Sequence, residues 1–230
     1  MRAPPRMAME AQRGLSMVEL LVGLTIGLFI AATGTTLLAG NLRENRSLLL
    51  EARLMQDLRS AADMVSRDLR RAGYWAAATD GVWVAGASSV AANPYLAVAP
   101  GSAASDAVSF RYSRDATENN RVDGNEQFGF RLRAGVIEIQ LGAGNWQALT
   151  DAGTLSITEF SITPTVQDIS LQSLCTNPCP AGGATCPPHQ QVRSLALVVT
   201  GRLVNDANVT RSLRSDVRLR NDPVIGACAG

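Results

Sequence analysis

The chain has 230 residues, a hydrophobic fraction of 46% and a charged fraction of 18%. It is apolar enough to form a core, which excludes disorder of the whole chain. Its 21 basic residues are all arginines and face 20 acidic ones, for a net charge of +1, so no polyelectrolyte partner is indicated. The lack of lysine excludes P-loop and Schiff-base lysines, and the single histidine, His189, excludes a multi-histidine metal site.

The first predicted elements are a short basic leader, residues 1–14, and an apolar helix, residues 15–40. The apolar segment exceeds the about 20 residues that span a bilayer, and it is too long for the core of a cleaved secretory signal. The leader is net positive, so the positive-inside rule keeps it in the cytoplasm. We therefore expect a single-pass membrane anchor, with the rest of the chain outside the cytoplasm.

Glu19 is the one ionisable side chain in the apolar segment. A carboxylate inside a spanning helix costs about 2.5–3.5 kcal/mol on insertion scales and is a candidate functional group. The chain has no arginine between Arg13 and Arg43, so the partner of Glu19 must be another molecule, a terminal amine or a lipid headgroup. A simpler alternative places Glu19 at the membrane interface, unpaired.

Residues 13–22, with the sequence RGLSMVELLV, resemble the type IV prepilin signal. In that signal a short basic leader ends in glycine, and the following apolar segment has glutamate as its fifth residue. The resemblance implies that prepilin peptidase cleaves between Gly14 and Leu15 and methylates the new amine of Leu15. It also implies that Glu19 pairs with the terminal amine of a neighbouring subunit when an inner-membrane platform assembles the filament.

Small residues recur every four positions along the same helix. Gly23 and Gly27 form a G-x-x-x-G motif, which Ala31 and Thr35 continue at the same spacing. Such a stripe lets two helices approach closely, so it predicts a helix-packing face in a filament. The ordinary abundance of small residues in membrane helices is the alternative interpretation.

Residues 41–73 are predicted to continue the helix as an amphipathic segment that ends at Gly73. Apolar residues recur at steps of three and four, and charged residues occupy the other faces. The apolar positions are Leu54, Met55, Leu58, Ala61, Ala62, Val65, Leu69 and Ala72. The segment 68–75, with the sequence DLRRAGYW, also resembles the end of the long helix in the PilW group of minor pilins.

Residues 74–230 are predicted to form a β-rich periplasmic head. Residues 74–105 favour an irregular loop with a short strand at 82–84. Alternating apolar and polar residues then predict strands at 108–112, 128–132, 136–141, 146–149, 155–163, 195–204 and 209–219. Turns at 133–135, 142–145 and 205–208 connect them as antiparallel neighbours.

A long helix followed by antiparallel strands is an α+β arrangement, and the prepilin resemblance implies the pilin-like version of it. In that version the long N-terminal helix, first transmembrane and then amphipathic, packs on an antiparallel β-sheet head. Residues 144–151, with the sequence GNWQALTD, are similar to the equivalent region of PilW proteins and of GspJ, a pseudopilin of type II secretion systems.

The loop between the first two predicted strands is dense in oxygen ligands of the kind that calcium takes. The candidates are Asp115, Glu118, Asp123, Asn125 and Glu126. An EF-hand alignment that begins at Asn119 fails, because it places Phe130 where a bidentate glutamate is required. A solvated hairpin loop with an Asp-Gly turn is therefore favoured over a calcium site.

Four cysteines, Cys175, Cys179, Cys186 and Cys228, lie near the C-terminus. The first three, with His189, have ligand types that suit tetrahedral zinc. An oxidising compartment favours two disulfides instead, and zinc binding would leave Cys228 as a reactive thiol. Three connectivities are open. We expect one bridge to restrain the loop at 175–188, another to anchor the C-terminus through Cys228, and His189 to be an exposed loop residue.

Arginines cluster on the last two predicted strands, at Arg202, Arg211, Arg214, Arg218 and Arg220. Acidic residues interleave with them and no aromatic residue lies among them, so nucleic-acid binding is disfavoured against an exposed, salt-bridged strand face. No catalytic triad, nucleophile elbow or phosphate loop is recognisable, so we expect neither an enzyme nor a cofactor.

The resemblance implies a PilW-type minor pilin that works with other minor pilins, the major pilin, prepilin peptidase and membrane lipid to prime a type IV pilus. Attachment, twitching motility and DNA uptake are all possible outputs. A GspJ-like pseudopilin of a type II secretion system is one alternative. An uncleaved, single-pass protein whose periplasmic head binds a ligand is another, and it predicts that Glu19→Ala is harmless.

Overall fold

The structure is a computed structural model that describes residues 14, 16–82, 91–180 and 186–229. The chain divides between Leu49 and Leu50 into two compact units. The first contains the apolar part of the long helix, and the second contains the amphipathic part of that helix together with all the strands. We call the second unit the head.

Helix α1 runs from Met17 to Leu69 without interruption. Its apolar positions at steps of three and four bury one face inside the head, at Leu54, Leu58, Ala61, Ala62, Val65 and Leu69. The expected continuation to Ala72 is wrong by about one turn, because residues 70–73 form turns instead. Gly73 adopts a φ of 76°, and its N–H donates to the carbonyl oxygen of Arg111 at 2.8 Å, which directs the chain away from the helix.

The first sheet is an antiparallel meander in the order β1-β2-β3-β4. Its strands are β1 (Ala107–Arg111), β2 (Gln127–Arg133), β3 (Val136–Leu141) and β4 (Trp146–Ala148). The tight β2–β3 hairpin needs two consecutive residues with positive φ, and Ala134 and Gly135 supply them at 50° and 77°. The predicted strand positions and hairpin turns agree closely with this sheet.

The second sheet contains two long strands, β5 (Leu155–Ser170) and β6 (His189–Leu203). Strand β7 (Thr210–Arg218) pairs with one part of β6, and β8 (Val224–Ile225) pairs with its beginning. Strand β6 is therefore central, with an antiparallel partner along all of its length. The strands predicted at 155–163 and 195–204 are both too short. Residues 165–170 of β5 pair with residues 189–194 of β6, beyond the part of each strand in which apolar and polar residues alternate strongly.

A single hydrophobic core joins the amphipathic part of α1 to both sheets. Phe130 and Ile137 from the first sheet and Leu197 and Val199 from the second are fully buried in it, as is Leu58 of the helix. This is the predicted α+β, pilin-like arrangement of one long N-terminal helix and an antiparallel β head.

One local expectation was wrong, and another lies mostly outside the described residues. His189 is the half-buried first residue of β6, paired with Ser170 and Ile225, and not an exposed loop residue. Pro188 hid this strand start from the sequence pattern, since proline ordinarily marks a loop or the first residue of a strand. Val82 follows a short 3₁₀ helix, Ala78–Gly81, and the remainder of the expected strand at 82–84 lies outside the described residues.

Candidate functional site

The predicted processing site lies just before α1. Gly14 is exposed and not helical, and the N–H of Leu20 in the first turn of α1 donates to the carbonyl oxygen of Ser16 at 3.1 Å. Leu15 lies outside the described residues, so cleavage after Gly14 and methylation of Leu15 stay predictions. A Cβ atom added to Gly14 would meet nothing within 4 Å.

The first part of α1 presents an apolar surface on all sides. Phe29 is 74% exposed and Leu37 is 71% exposed, and the helix is long and apolar enough to span a membrane. Four threonine hydroxyls donate to carbonyl oxygens three or four residues earlier, at Thr25, Thr33, Thr35 and Thr36. The hydroxyl groups thus need no hydrogen-bond acceptor outside the helix. This suits a segment anchored in lipid or packed among other helices.

Glu19 lies in the first turn of α1 and is exposed. The positive end of the helix dipole favours a carboxylate there. Within the described part of the chain, however, Glu19 makes no ion pair and no hydrogen bond. Its charge therefore calls for a partner that the described residues do not supply.

The stripe of small residues lies on the same exposed helix. A Cβ atom added to Gly23 or Gly27 would meet no atom within 4 Å, and Ala31 is exposed. No contact inside the described chain therefore explains these small residues. Their role as a helix-packing face stays a prediction.

Two disulfides restrain the end of the chain. Cys179 pairs with Cys186 across the proline- and glycine-rich loop, and Cys175 pairs with Cys228 near the C-terminus. The described residues include no free cysteine. Of the three connectivities that the sequence left open, the structure has the one that closes the loop between Cys179 and Cys186 and anchors the C-terminus to Cys175.

The arginines on β6 and β7 are partly paired with acids, as expected for an exposed strand face. Arg211 forms an ion pair with Glu51 of α1, and Arg218 pairs with Asp222 at 2.9 Å. The predicted strand face thus also connects β7 to the helix, through a partner distant in sequence.

The acidic loop does not form the fully solvated hairpin that the sequence favoured. Asp123 caps a short 3₁₀ helix, Gly124–Glu126, and the carboxylate of Glu126 accepts hydrogen bonds from the N–H groups of Arg114 and Asp123, both at 2.9 Å. Glu126 is fully buried. Carboxylate oxygens of Asp115, Asp123 and Glu126 lie within 4.8 Å of one another.

Tyr95 connects this cluster to a fourth carboxylate. Its hydroxyl lies 2.8 Å from Glu118, 3.0 Å from the carbonyl oxygen of Arg121 and 3.1 Å from Glu126. Burial is the main cause that raises the pKa of Tyr95, and hydrogen bonds to Glu118 and Glu126 raise it further. The hydroxyl therefore keeps its proton. Asn125, the remaining candidate ligand, is exposed in the 3₁₀ helix.

The carboxylates of the cluster differ in how their charge is stabilised. The pKa of Asp115 is raised by desolvation and then by Glu126, Asp123 and Glu118. Burial also acts to raise the pKa of Glu118, but the hydroxyls of Ser113 and Tyr95 and nearby backbone N–H groups outweigh it, so this pKa is lowered. The cluster therefore holds Glu118 ionised while Asp115 experiences repulsion from its neighbours.

Two residues of this cluster were missed by the sequence analysis. Tyr95 lies in the segment that was expected to be an irregular loop, and Ser113 follows β1. The signal that marks Tyr95 is the preceding Asn93-Pro94 pair, since the Asn93 side chain accepts from the N–H of Tyr95 at 2.8 Å and donates to the carbonyl oxygen of Gly73. A large aromatic residue directly after such a turn is a candidate anchor.

The head matches a known protein family. A family model described as PpdB, prepilin peptidase-dependent protein B, matches residues 47–219. This range begins after the apolar part of α1, so the match is independent of residues 13–22 and their prepilin-like sequence. No curated protein and no solved structure matches the chain significantly.

Proposed function

This chain belongs to the prepilin peptidase-dependent protein B family, and from that premise we propose that it is a PilW-like minor pilin. In this proposal prepilin peptidase removes residues 1–14, and the processed subunit joins a type IV pilus and helps to prime its assembly. The observation that carries the proposal is the exposed apolar helix with Glu19 as its one acidic residue before Glu44. It follows a glycine-ended leader in a chain whose head independently matches a prepilin peptidase-dependent family.

The exposed apolar surface of the helix is suited to two environments, one before and one after assembly. Before assembly, its apolar side chains from Met17 to Leu42 are covered by lipid, and the head lies in the periplasm. After extraction, the same side chains are covered by the helices of neighbouring pilins. The threonine hydroxyls need no new partner in either environment, because each is already bonded within the helix.

Glu19 acts in assembly as a charge that must be paired. Cleavage after Gly14 creates a cationic amine at Leu15, four residues before Glu19. The amine of one subunit and the Glu19 carboxylate of its neighbour neutralise each other, which lowers the cost of moving both through an apolar environment and sets the axial register. No catalytic step is assigned to the protein.

The first test is the start of the mature chain. Intact mass and N-terminal sequencing are measured on protein from membranes of cells with and without prepilin peptidase. We expect a chain that begins at Leu15, with or without a methyl group, only when the peptidase is present. A chain that begins at Met1 in both strains overturns the proposal and favours a permanently anchored ligand-binding head.

The second test separates processing from assembly. Glu19→Gln removes the charge of interest, and Glu44→Gln removes an exposed charge from the same helix. We expect Glu19→Gln to be cleaved normally but to fall at least tenfold in sheared pilus fractions, whereas Glu44→Gln behaves as the wild type. Loss of secretion with normal piliation in a deletion strain would assign the protein instead to a type II secretion system, as a GspJ-like pseudopilin.

A further inference from the structure

A cleft beside the end of α1 collects arginines from three separate parts of the chain. It has a volume of about 650 Å³, which is in the range of small-molecule sites. The arginines that line it are Arg70, Arg71, Arg114 and Arg220. The first two follow α1, the third follows β1 and the fourth follows β7. Asp68 is the one acid among the described residues of the lining, so positive charge is in excess. We call this feature the arginine cleft.

Most of these arginines have no acid to neutralise them. Within the part of the chain that the structure describes, the guanidinium groups of Arg70, Arg114 and Arg220 make no ion pair and no hydrogen bond. Arg71 lies 3.7 Å from Asp68, which is a long contact for an ion pair. A cleft that is lined by charges of one sign focuses their field and concentrates ions of the opposite sign. The arginine cleft is therefore suited to an anion.

Two of the arginines are positioned by buried aromatic rings. Tyr112 and Phe128 stack on each other, with ring centres 4.1 Å apart and planes within 9°. The guanidinium of Arg71 lies over the Tyr112 ring at 5.1 Å, and that of Arg114 lies over the Phe128 ring at 5.7 Å. A ring contact uses the face of the planar guanidinium and leaves the N–H groups at its edge available to a ligand. Part of the cleft is thus organised before any ligand binds.

The Tyr112 hydroxyl supplies a further donor. Tyr112 is 8% exposed and lines the cleft. Its hydroxyl makes no hydrogen bond among the described residues, although buried polar side chains are ordinarily hydrogen-bonded. It is not one of the polar atoms that the head covers completely, so it is accessible from the cleft. Burial is the main cause that raises the pKa of Tyr112, so the hydroxyl keeps a proton that it can donate.

We propose that the arginine cleft binds a soluble ligand that carries two or more phosphate groups. Each terminal phosphate group has three strong acceptor oxygens and about −1.5 to −2 charges at neutral pH. A guanidinium group binds such oxygens with two parallel N–H donors. A single carboxylate would leave most donors of the four arginines unused. The proposal does not depend on whether the protein enters a pilus.

The same cleft is poorly suited to a nucleic-acid strand. Strand binding ordinarily combines a positively charged groove with exposed aromatic rings on which successive bases stack. Tyr112 and Phe128 are buried and stack on each other, so they offer no free face to a base. Tyr74, which is 50% exposed, is the one exposed aromatic residue among the described residues of the lining. A compact polyphosphate therefore fits these observations better than a strand does.

A lipid headgroup is disfavoured by the position of the cleft along α1. The head begins at Leu50, and the cleft lies just beyond Leu69. These two residues are about 29 Å apart along the helix, at 1.5 Å per residue. That distance exceeds three Debye lengths of about 8 Å at physiological ionic strength. Attraction to an anionic membrane surface does not account for the arginines.

The test is titration of the full chain in detergent with inorganic pyrophosphate, followed by calorimetry at constant ionic strength. We expect saturable binding of one ligand per chain. Arg70→Gln and Arg220→Gln should each lower the affinity at least tenfold, because each removes a charged hydrogen-bond donor. Neither should change the melting temperature without ligand, since both side chains are exposed and unpaired among the described residues. Absence of saturable binding in the wild type overturns the proposal.

Arg214→Gln is the matched control. Arg214 lies on β7, is exposed, is outside the cleft and makes no ion pair among the described residues. The control changes the net charge by the same amount and should bind pyrophosphate as the wild type does. An equal loss of affinity in Arg214→Gln would mean attraction by overall charge alone and would contradict the proposal.

Tyr112→Phe tests the hydroxyl while it keeps the stacked ring. We expect about a two- to tenfold loss of affinity, as for one neutral hydrogen bond, with an unchanged melting temperature in the absence of ligand. Wild-type affinity in Tyr112→Phe and in both cleft arginine variants would exclude the cleft as the site and overturn the proposal.

Competition identifies the source of the phosphate groups. The pyrophosphate titration is repeated with an oligothymidine strand present, and again in vesicles of phosphatidylcholine with and without phosphatidylglycerol. We expect the same pyrophosphate affinity in all of these conditions. Displacement of pyrophosphate by the strand would assign the cleft to nucleic acid, and displacement by phosphatidylglycerol would assign it to a membrane surface. Either result overturns the assignment to a soluble ligand.

Discussion

Glycines behave in opposite ways in the two units of the chain. In the apolar part of α1, an added Cβ at Gly23 or Gly27 meets nothing within 4 Å. In the first sheet of the head, an added Cβ at Gly129 would lie 2.7 Å from the carbonyl oxygen of Val108. In the head, close packing within the chain explains why a glycine is needed at position 129. In the apolar part of α1, no described contact explains the glycines.

The same contrast holds for large apolar side chains. Leu58 is fully buried in the head, whereas Leu28, on the same helix, is 62% exposed. Burial of a leucine stabilises a fold, but an exposed stretch of leucines is stable only when lipid or protein covers it. The sequence of the head is therefore selected by its own folding, and that of the apolar helix by what surrounds it.

The largest expected effect on stability tests this contrast directly. Leu58→Ala should lower the free energy of unfolding of the head by about 2–5 kcal/mol, since it leaves a cavity between α1 and the sheets. Leu28→Ala removes the same atoms from an exposed position and should leave that free energy unchanged. Both are measured by denaturant unfolding of the full chain in detergent, followed by tryptophan fluorescence. An equal loss in both variants would contradict the separation of roles.

The two disulfides sharpen the comparison within the head. Cys175 and Cys228 are separated by 53 residues, and Cys179 and Cys186 by 7. Loop-closure entropy predicts that replacing the first pair with serine costs about 4 kcal/mol and the second about 2 kcal/mol. The same unfolding experiment without reductant measures the loss of unfolding free energy for each double variant. A larger loss for the Cys179–Cys186 pair than for the Cys175–Cys228 pair would refute the entropic account.

A smaller effect is expected from alanine at the glycines. Gly129→Ala should cost about 1–3 kcal/mol, because the new methyl group collides with a backbone carbonyl that cannot move without disturbing β1. Gly27→Ala should leave head stability unchanged, and any defect should appear only in recovery of the protein from filaments. A drop in head stability for Gly27→Ala would show that the stripe packs within the chain itself.

Much of the fold could be predicted from the sequence. The alternation in residues 136–141 and the Arg133-Ala134-Gly135 turn were sufficient to predict β3 and its hairpin, because both signals are local. The second half of β5 was missed, since residues 164–170 lose the alternation and are mostly exposed. Pairing with residues 189–195 of β6 holds them as a strand, and that partner is distant in sequence.

The candidate sites divide in the same way. Gly14, Leu15 and Glu19 lie within one short sequence motif, so the sequence alone was enough to predict them. Their roles stay predictions. The acidic loop was recognised by composition, but composition could not show that Glu126 is buried or that Tyr95 reaches it from 31 residues away. A site built by tertiary contacts leaves only its ligand types in the sequence.

The Cys175–Cys228 bridge has a consequence for proteolysis. It closes a covalent ring that contains β6, β7 and the exposed turn at residues 204–208 between them. A protease that cuts this turn cannot release a fragment, because both pieces remain joined through the sulfur atoms and through the paired strands. The nicked protein would migrate as one species until a reductant is added, so the head can be cut at this turn and still stay in one piece.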